Sequence, residues 1–249
     1  MSTIASTQAR RAVVTGATRG IGRRIVEQLA ATGWDLVVSA RDVDALAALR
    51  DELADSHGAT VVAHSADLVD EASLLDLAAV AGTGRLDALI LNGGMGAIGP
   101  FAEFPARRFD RLYTVNARSA FVLIQSLLPA LRETAASSPF GAKVVAVSSM
   151  TGLAGEALNA AYGASKAALI SLCETLNTEE SLAGVSATAV CPGYVATDMT
   201  ANLPGAAPAD QMIDADDVAE VVTAMLRLSR RSLVPQVAIS RPGTAVWRA

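Results

Sequence analysis

Tyr162 and Lys166, four residues apart in Tyr162-Gly163-Ala164-Ser165-Lys166, are the pair in this sequence best suited to moving a proton. Residues at that spacing share one face of a helix, so both side chains can point into a single cleft. A phenol is a weak acid with an ordinary pKa near 10, and a nearby ammonium favours its ionised form. A unit charge about 4 Å away, in an effective dielectric of about 20, is worth roughly 4 kcal/mol, or about three pKa units. That arithmetic predicts Tyr162 to titrate near neutrality, where acid–base catalysis works best. The reaction it would serve is hydride transfer to a carbonyl, which leaves an alkoxide in need of a proton. Ser149 lies thirteen residues before Tyr162, at the end of a strand-like run. Its hydroxyl can donate to the same substrate oxygen as charge develops there. The same residues also have plainer readings: a packed aromatic under a solvated ammonium, and a serine that merely ends a strand.

A second stretch could hold phosphate. Thr15-Gly16-Ala17-Thr18-Arg19-Gly20-Ile21-Gly22 lies between an apolar strand-like segment and an amphipathic helix-like one. Glycines there let the backbone turn tightly and approach a pyrophosphate. The free N–H groups and dipole of the helix start then favour an anion. A tight turn that binds nothing gives the same pattern, but its place in the first βα unit of an alternating chain favours a dinucleotide. The next strand-like segment ends Ser39-Ala40-Arg41, where NAD-binding chains usually carry a carboxylate. A guanidinium at Arg41 can instead fork onto a 2′-phosphate, and Arg19 adds a second positive charge. The cofactor expected is therefore NADP(H) rather than NAD(H). Asp42 is the counterweight, and it reads as the N-cap of the following helix.

The elements that must position these residues alternate along the chain. Strands are expected at 11–15, 36–39, 60–63, 88–91, 143–148, 185–190 and 233–239. Helices are expected at 21–31, 43–55, 71–81, 107–134, 159–183 and 216–230. The runs Val-Val-Thr, Ala-Leu-Ile-Leu and Val-Val-Ala-Val are apolar throughout, as strands buried on both faces are. Repeated βα units of this kind predict an α/β fold, a Rossmann-type doubly wound parallel sheet of about seven strands with helices on both faces. No linker divides the chain, so residues 1–249 are expected to form one domain. A Pro-, Gly- and Ala-rich loop at about 196–213 is the candidate cover over a substrate. Pro235 belongs at an edge or an irregularity.

Together these motifs resemble the short-chain dehydrogenase/reductase family. The turn has that family's TGxxxGxG spacing rather than GxGxxG. The Ser149…Tyr162-x-x-x-Lys166 offset matches, and so do Pro192-Gly193 with Thr197 in the pattern Pro-Gly-x-x-x-Thr. The resemblance spans most of the chain. It implies that Gly16, Thr18, Arg19, Gly20 and Ile21 wrap a pyrophosphate, and that Asp67-Leu68 meets the adenine. It implies that Asn92-Gly93 lies under the cofactor, in a stretch where relatives usually read Asn-Ala-Gly. It further implies that Lys166 holds ribose hydroxyls as well as tuning Tyr162, and that Asn116 supports a water passing protons to Lys166. The backbone near Val195, together with Thr197, would meet the nicotinamide carboxamide or the pyrophosphate. The tail 240–249 departs from the glycine-rich end of relatives. Family members are usually tetramers or dimers packed through the two long helices, so a homotetramer or homodimer is expected.

Bulk properties narrow the function further. The chain has 249 residues, 51% of them hydrophobic and 18% charged, with a net charge of −5, as befits a large-cored globular protein. No basic stripe speaks for nucleic acid, and no apolar run is long enough to span a membrane. His57, His64, Cys173 and Cys191 have no metal-ligand spacing, and no signal-like N-terminus precedes them, so a cytoplasmic location and no metal are expected. The substrate-loop residues Met199, Leu203 and Met212, with Met150, Leu153 and Tyr194, predict a neutral or apolar carbonyl or alcohol, of 3-oxoacyl or simple ketone type. Two other readings stay open: a non-catalytic NADP(H) sensor, and a non-redox isomerase or epimerase on the same scaffold.

Overall fold

The computed structural model describes residues 9–201 and 208–243. Part of the expected substrate loop, Leu203 included, and the end of the tail from residue 244 lie outside the described residues.

Seven strands form one parallel sheet in the order β3-β2-β1-β4-β5-β6-β7. They are β1 (Arg11–Thr15), β2 (Asp35–Ala40), β3 (Val61–Ser65), β4 (Ala88–Leu91), β5 (Ala142–Val147), β6 (Val185–Pro192) and β7 (Gln236–Ile239). The connecting helices are α1 (Gly20–Ala31), α2 (Val43–His57), α3 (Glu71–Ala81), α4 (Ala106–Tyr113), α5 (Ser119–Ser137), α6 (Met150–Leu153), α7 (Ala160–Glu180) and α8 (Ala215–Arg227).

Side chains alternate across each strand, and the two faces feed two cores. Val14, Val38, Ile90, Val145 and Val190 pack against α1, α2 and α8. Val13, Val37, Leu89, Val144 and Ala187 pack against α3, α5 and α7. The middle strands β4, β5 and β6 are buried along their whole length, which is why β4 and the Val144–Val147 stretch of β5 read as apolar runs. Strand order reverses between β1 and β4. The strand ends on either side of such a switch point diverge and leave a crevice for a ligand.

Aspartates cap the starts of α2, α3 and α8. Asp42 accepts from Ala45 N at 3.0 Å and caps α2, while Asp70 accepts from Ala72 N at 3.1 Å and caps α3. The structure departs from expectation in several places, among them the ends of the helices expected over 159–183 and 216–230, which stop at Glu180 and Arg227. The single helix expected over 107–134 is interrupted by one π turn, Thr114–Arg118. The short helix α6 was not foreseen, since four residues carry no readable periodicity. The last strand begins at Gln236 rather than 233. Pro235 has no N–H for the ladder, and its carbonyl alone takes part, accepting from Ala189 N at 2.9 Å. Among the described residues, no helix is long and apolar enough to cross a membrane.

Candidate active site

A cleft of about 640 Å³ opens along the carboxyl ends of β1, β2, β3, β4, β5 and β6. The glycine turn forms its floor on the β1 side. Gly16 adopts φ +65°, a conformation that disfavours any side chain. A Cβ on Gly22 would stand 2.1 Å from Gly16 O, and one on Gly16 would stand 2.8 Å from Gly93 Cα. The backbone is therefore packed as tightly as glycine allows. Asn92 braces it: its Nδ2 donates to Thr15 O at 3.1 Å and to Gly16 O at 3.0 Å. Thr15 Oγ1 returns the link by accepting from the N–H groups of Asn92 and Gly93 at 3.1 and 3.0 Å. The start of α1 carries no capping side chain and no acidic residue in its first turn. Its N–H groups are thus left for an anion, and the close-packed cradle fits a dinucleotide pyrophosphate.

Arg19 and Arg41 both line this cleft and are exposed. Arg19 lies 3.8 Å from Asp198 in a loose, solvent-exposed pair. Asp42, next to Arg41, also lines the cleft, and its Oδ1 is engaged by Ala45 N at the start of α2. Asp67 and Leu68 line the cleft as well, and Asp67 Oδ1 accepts from Val69 N at 3.2 Å, shaping the local turn. Thr18, Gly20, Ile21, Asn92, Gly93, Pro192, Gly193, Val195 and Thr197 line it too.

The proton-transfer candidates occupy the same cleft. Ser149, Tyr162 and Lys166 all face it. Lys166 is only 5% exposed, and its Nζ donates to Val147 O at 2.8 Å, 5.8 Å from the centre of the Tyr162 ring. Ser148 fixes the helix to the sheet by donating to Lys166 O at 2.9 Å. The electrostatics correct the sequence-based expectation for Tyr162. Burial pushes the phenol up to about 12, with the Ser149 hydroxyl acting in the opposite direction. Burial likewise pulls Lys166 down to about 8, against a smaller opposing pull from Cys191. The expectation counted the ammonium's attraction but not the desolvation of both groups, and desolvation dominates.

Asn116 sits on the π turn and is 3% exposed, so it does not face solvent. Its Oδ1 accepts from Met95 N at 2.9 Å, and its Nδ2 donates to Met95 O and Ser165 Oγ, both at 3.0 Å. Ser165 Oγ passes the link on to Tyr162 O at 2.7 Å. The amide therefore ties the loop after β4 to the helix that carries Tyr162 and Lys166. A Cβ on Gly94 would stand 3.1 Å from Asn116 Oδ1 and 3.5 Å from Lys166 Nζ.

Of the four substrate-contact candidates, only Met199 lines this cleft. Met150 is 1% exposed, and its Sδ accepts from Ser240 Oγ at 3.4 Å, so it belongs to the support beneath the site. Leu153 packs against the α5–α7 core and edges a separate cleft with Thr151 and Glu156. Tyr194 turns away to Glu156, its OH 3.5 Å from Oε1. These three sit close to Ser149 or Pro192 in sequence, but the chain direction after each strand end takes them elsewhere. Conversely, Met95, Arg111 and Val115 line the cleft without having been singled out. Arg111 and Val115 lie four residues apart, the spacing that turns both toward the cleft from one helix face.

The description of the short chain dehydrogenase family matches residues 10–207. The chain is 33% identical over 237 residues to the rhamnolipids biosynthesis 3-oxoacyl-[acyl-carrier-protein] reductase of Pseudomonas aeruginosa, covering 94% of this chain and 89% of that protein. It is 30% identical over 191 residues to a D-beta-hydroxybutyrate dehydrogenase of Rhizobium meliloti, covering 76% and 72%. Its fold is similar to that of an alcohol dehydrogenase from the archaeon Thermococcus sibiricus solved with 5-hydroxy-NADP. That match has a TM-score of 0.84 at 26% identity and covers 95% of this chain and 97% of the other.

Proposed function

Because the chain belongs to the short-chain dehydrogenase/reductase family, we propose that it is an NADP(H)-dependent oxidoreductase interconverting a carbonyl and an alcohol, with Tyr162 as its acid–base. One observation carries this reading. The phenol, the ammonium and the serine hydroxyl line the same cleft as the glycine-packed phosphate turn. The bound dinucleotide would supply or accept the hydride. The protein's own part is to hold the substrate oxygen and manage its proton.

Ser149 donates a hydrogen bond to that oxygen. Tyr162 gives it a proton in reduction and takes one in oxidation. With its pKa pushed up to about 12, the phenol is protonated at neutral pH. It remains a far stronger acid than an alcohol, which is about as weak an acid as water, so the transfer to an alkoxide runs downhill. Lys166 sits where it can hold ribose hydroxyls and keep positive charge near the phenol. Asn116 holds Gly94 and Met95 against Lys166 and, as the family resemblance implies, supports the water route to its ammonium.

NADP(H) over NAD(H) is supported by Arg19 and Arg41 on the cleft wall and by the engagement of Asp42 as a helix cap. A structural relative that carries an NADP derivative agrees. Met95, Val115 and Met199 supply apolar lining for a neutral or apolar carbonyl, and the kinship to a 3-oxoacyl reductase favours a 3-oxoester or ketone. The chain acts as one unit, and Thr197, Asp198, Met199 and Thr200, at the start of the segment expected to cover the substrate, line the cleft. A homodimer or homotetramer is supported by the exposed aromatic face Phe109, Tyr113 and Phe121 on α4 and α5. Two buried free thiols, Cys173 and Cys191, fit a cytoplasmic location.

The test is NADPH oxidation with a panel of carbonyls: ethyl acetoacetate, an aliphatic ketone and a small keto acid. Turnover of the ester or ketone is expected. Binding of NADPH without turnover of any carbonyl would make the protein a sensor. Conversion of a substrate without net cofactor change would make it an isomerase.

A further inference from the structure

Ser149 is held in an unusual way for a residue that must donate. A serine hydroxyl has one proton and two acceptor directions, and left alone it rotates to suit its neighbours. Here the Oγ accepts from Thr151 N at 3.2 Å, as the N-cap of α6, and also from Thr151 Oγ1 at 3.0 Å. Both residues are buried, each 8% exposed. The backbone of this turn is pressed onto the helix of Tyr162 and Lys166. A Cβ on Gly163 would stand 2.8 Å from Thr151 O, and one on Gly152 would stand 2.8 Å from Lys166 C. Two glycines therefore set where Thr151 sits, independently of its hydroxyl.

We propose that Thr151 is a positioning residue for the reaction: its hydroxyl and its N–H fill both acceptor directions of Ser149 Oγ, so the single Ser149 proton points into the cleft as a fixed donor. This rests on the assignment of Tyr162 and Ser149 made above. With Thr151 in place, Ser149 donates to the substrate oxygen and has no free direction in which to accept the Tyr162 proton. Without the Thr151 hydroxyl, Ser149 can accept from Tyr162. The phenol proton then points at serine rather than at substrate, and both groups must reorient before transfer.

The experiment separates the hydroxyl from the shape. Thr151→Val keeps the shape and loses the hydroxyl, while Thr151→Ser keeps the hydroxyl and loses a methyl. NADPH with ethyl acetoacetate is the probe pair, repeated with every other carbonyl the panel turns over. Thr151→Val is expected to lower kcat roughly three- to tenfold, the worth of one hydrogen bond, because its N–H still holds Ser149. KM for the carbonyl and the dissociation constant of NADPH should stay within about twofold of wild type. Thr151→Ser should recover wild-type kcat to within about twofold. Wild-type kcat in Thr151→Val, or a Thr151→Ser variant slower than Thr151→Val, overturns the proposal. Tyr162→Phe run beside them distinguishes the two levels. If it retains full turnover, the acid–base assignment itself fails. If it is inactive while Thr151→Val is unimpaired, only the role of Thr151 fails.

Discussion

Raising the pH through about 8 should discharge Lys166, and that single ionisation makes a quantitative prediction for both rate and stability. Burial lowers the ammonium from its ordinary 10.5 to about 8. The difference corresponds to an order-of-magnitude 3 kcal/mol by which the folded site disfavours the charged form. The sign follows from proton counts. Between about 8 and 10.5 the unfolded chain keeps a proton that the folded chain has released, so stability rises with pH across that window. The slope contributed is about 1.4 kcal/mol per pH unit. The buried thiols work against it: Cys191 is raised to about 11 and Cys173 to about 12, both chiefly by desolvation, so each lowers stability once the pH passes the ordinary thiol value of 9.0. Tyr162 acts in the same destabilising direction above 10.0. The clean interval is therefore about pH 8 to 9. The assay is urea unfolding of the cofactor-free protein, compared with Lys166→Met at each pH. Removing Lys166 also leaves Val147 O without its donor, which costs about 1–3 kcal/mol at every pH. Only the difference in pH slope is diagnostic. In kinetics, kcat/KM for NADPH should fall about tenfold per pH unit above about 8, as the free enzyme's ammonium is lost. Identical pH slopes of stability in wild type and Lys166→Met would refute the burial argument. So would a rate profile that is flat up to about pH 10.

Three other substitutions test separate parts of the site. Tyr162→Phe should lower turnover by about a hundredfold or more while leaving the NADPH dissociation constant within about twofold, as checked by fluorescence titration. Arg41→Asp should move the ratio of kcat/KM for NADPH and NADH toward NADH by about tenfold or more, since attraction to the 2′-phosphate becomes repulsion. Gly22→Ala places a Cβ 2.1 Å from Gly16 O, so the turn must open. NADPH binding should be lost and thermal stability reduced by about 1–3 kcal/mol.

The layout of the sheet was readable because strands buried on both faces are rich in apolar residues, and β4, β5 and β6 are buried throughout, with only Lys143, Ser186 and Thr188 breaking the pattern. The phosphate turn and the Tyr162–Lys166 pair were readable because both depend on local spacing along one element. What escaped depends on contacts between elements. Asn116 stands out in the sequence only through the family resemblance, and its place in a helix-like run does not reveal what its side chain bonds to. Its hydrogen bonds to Met95 and Ser165 link segments far apart in sequence. Met150 looked like a pocket residue because it follows Ser149, yet its side chain is buried against Ser240, just past the end of β7, and does not line the cleft. Arg111 reaches the cleft from α4, which packs against α7, and no local pattern announces that pairing.

The acidity of Tyr162 shows the same division. Spacing along a helix says that a lysine is near, and charge arithmetic from spacing alone sends the phenol toward neutrality. Burial is a property of the whole fold, and it is the largest influence on both groups, raising the phenol and lowering the ammonium. The outcome constrains chemistry in one direction. A phenol near 12 remains loaded with its proton at any physiological pH, so reduction of a carbonyl needs no prior ionisation of the site. Alcohol oxidation starts from the phenolate and needs added positive charge close to the ring. Lys166 at about 8 carries most of its charge at pH 7 and supplies part of that; an oxidised nicotinamide would supply more. Turnover in the two directions should therefore diverge with pH. Oxidation should gain as the pH rises toward about 8, while reduction stays level over the same interval. Parallel profiles in both directions would mean that the phenol's proton is not the one the reaction moves.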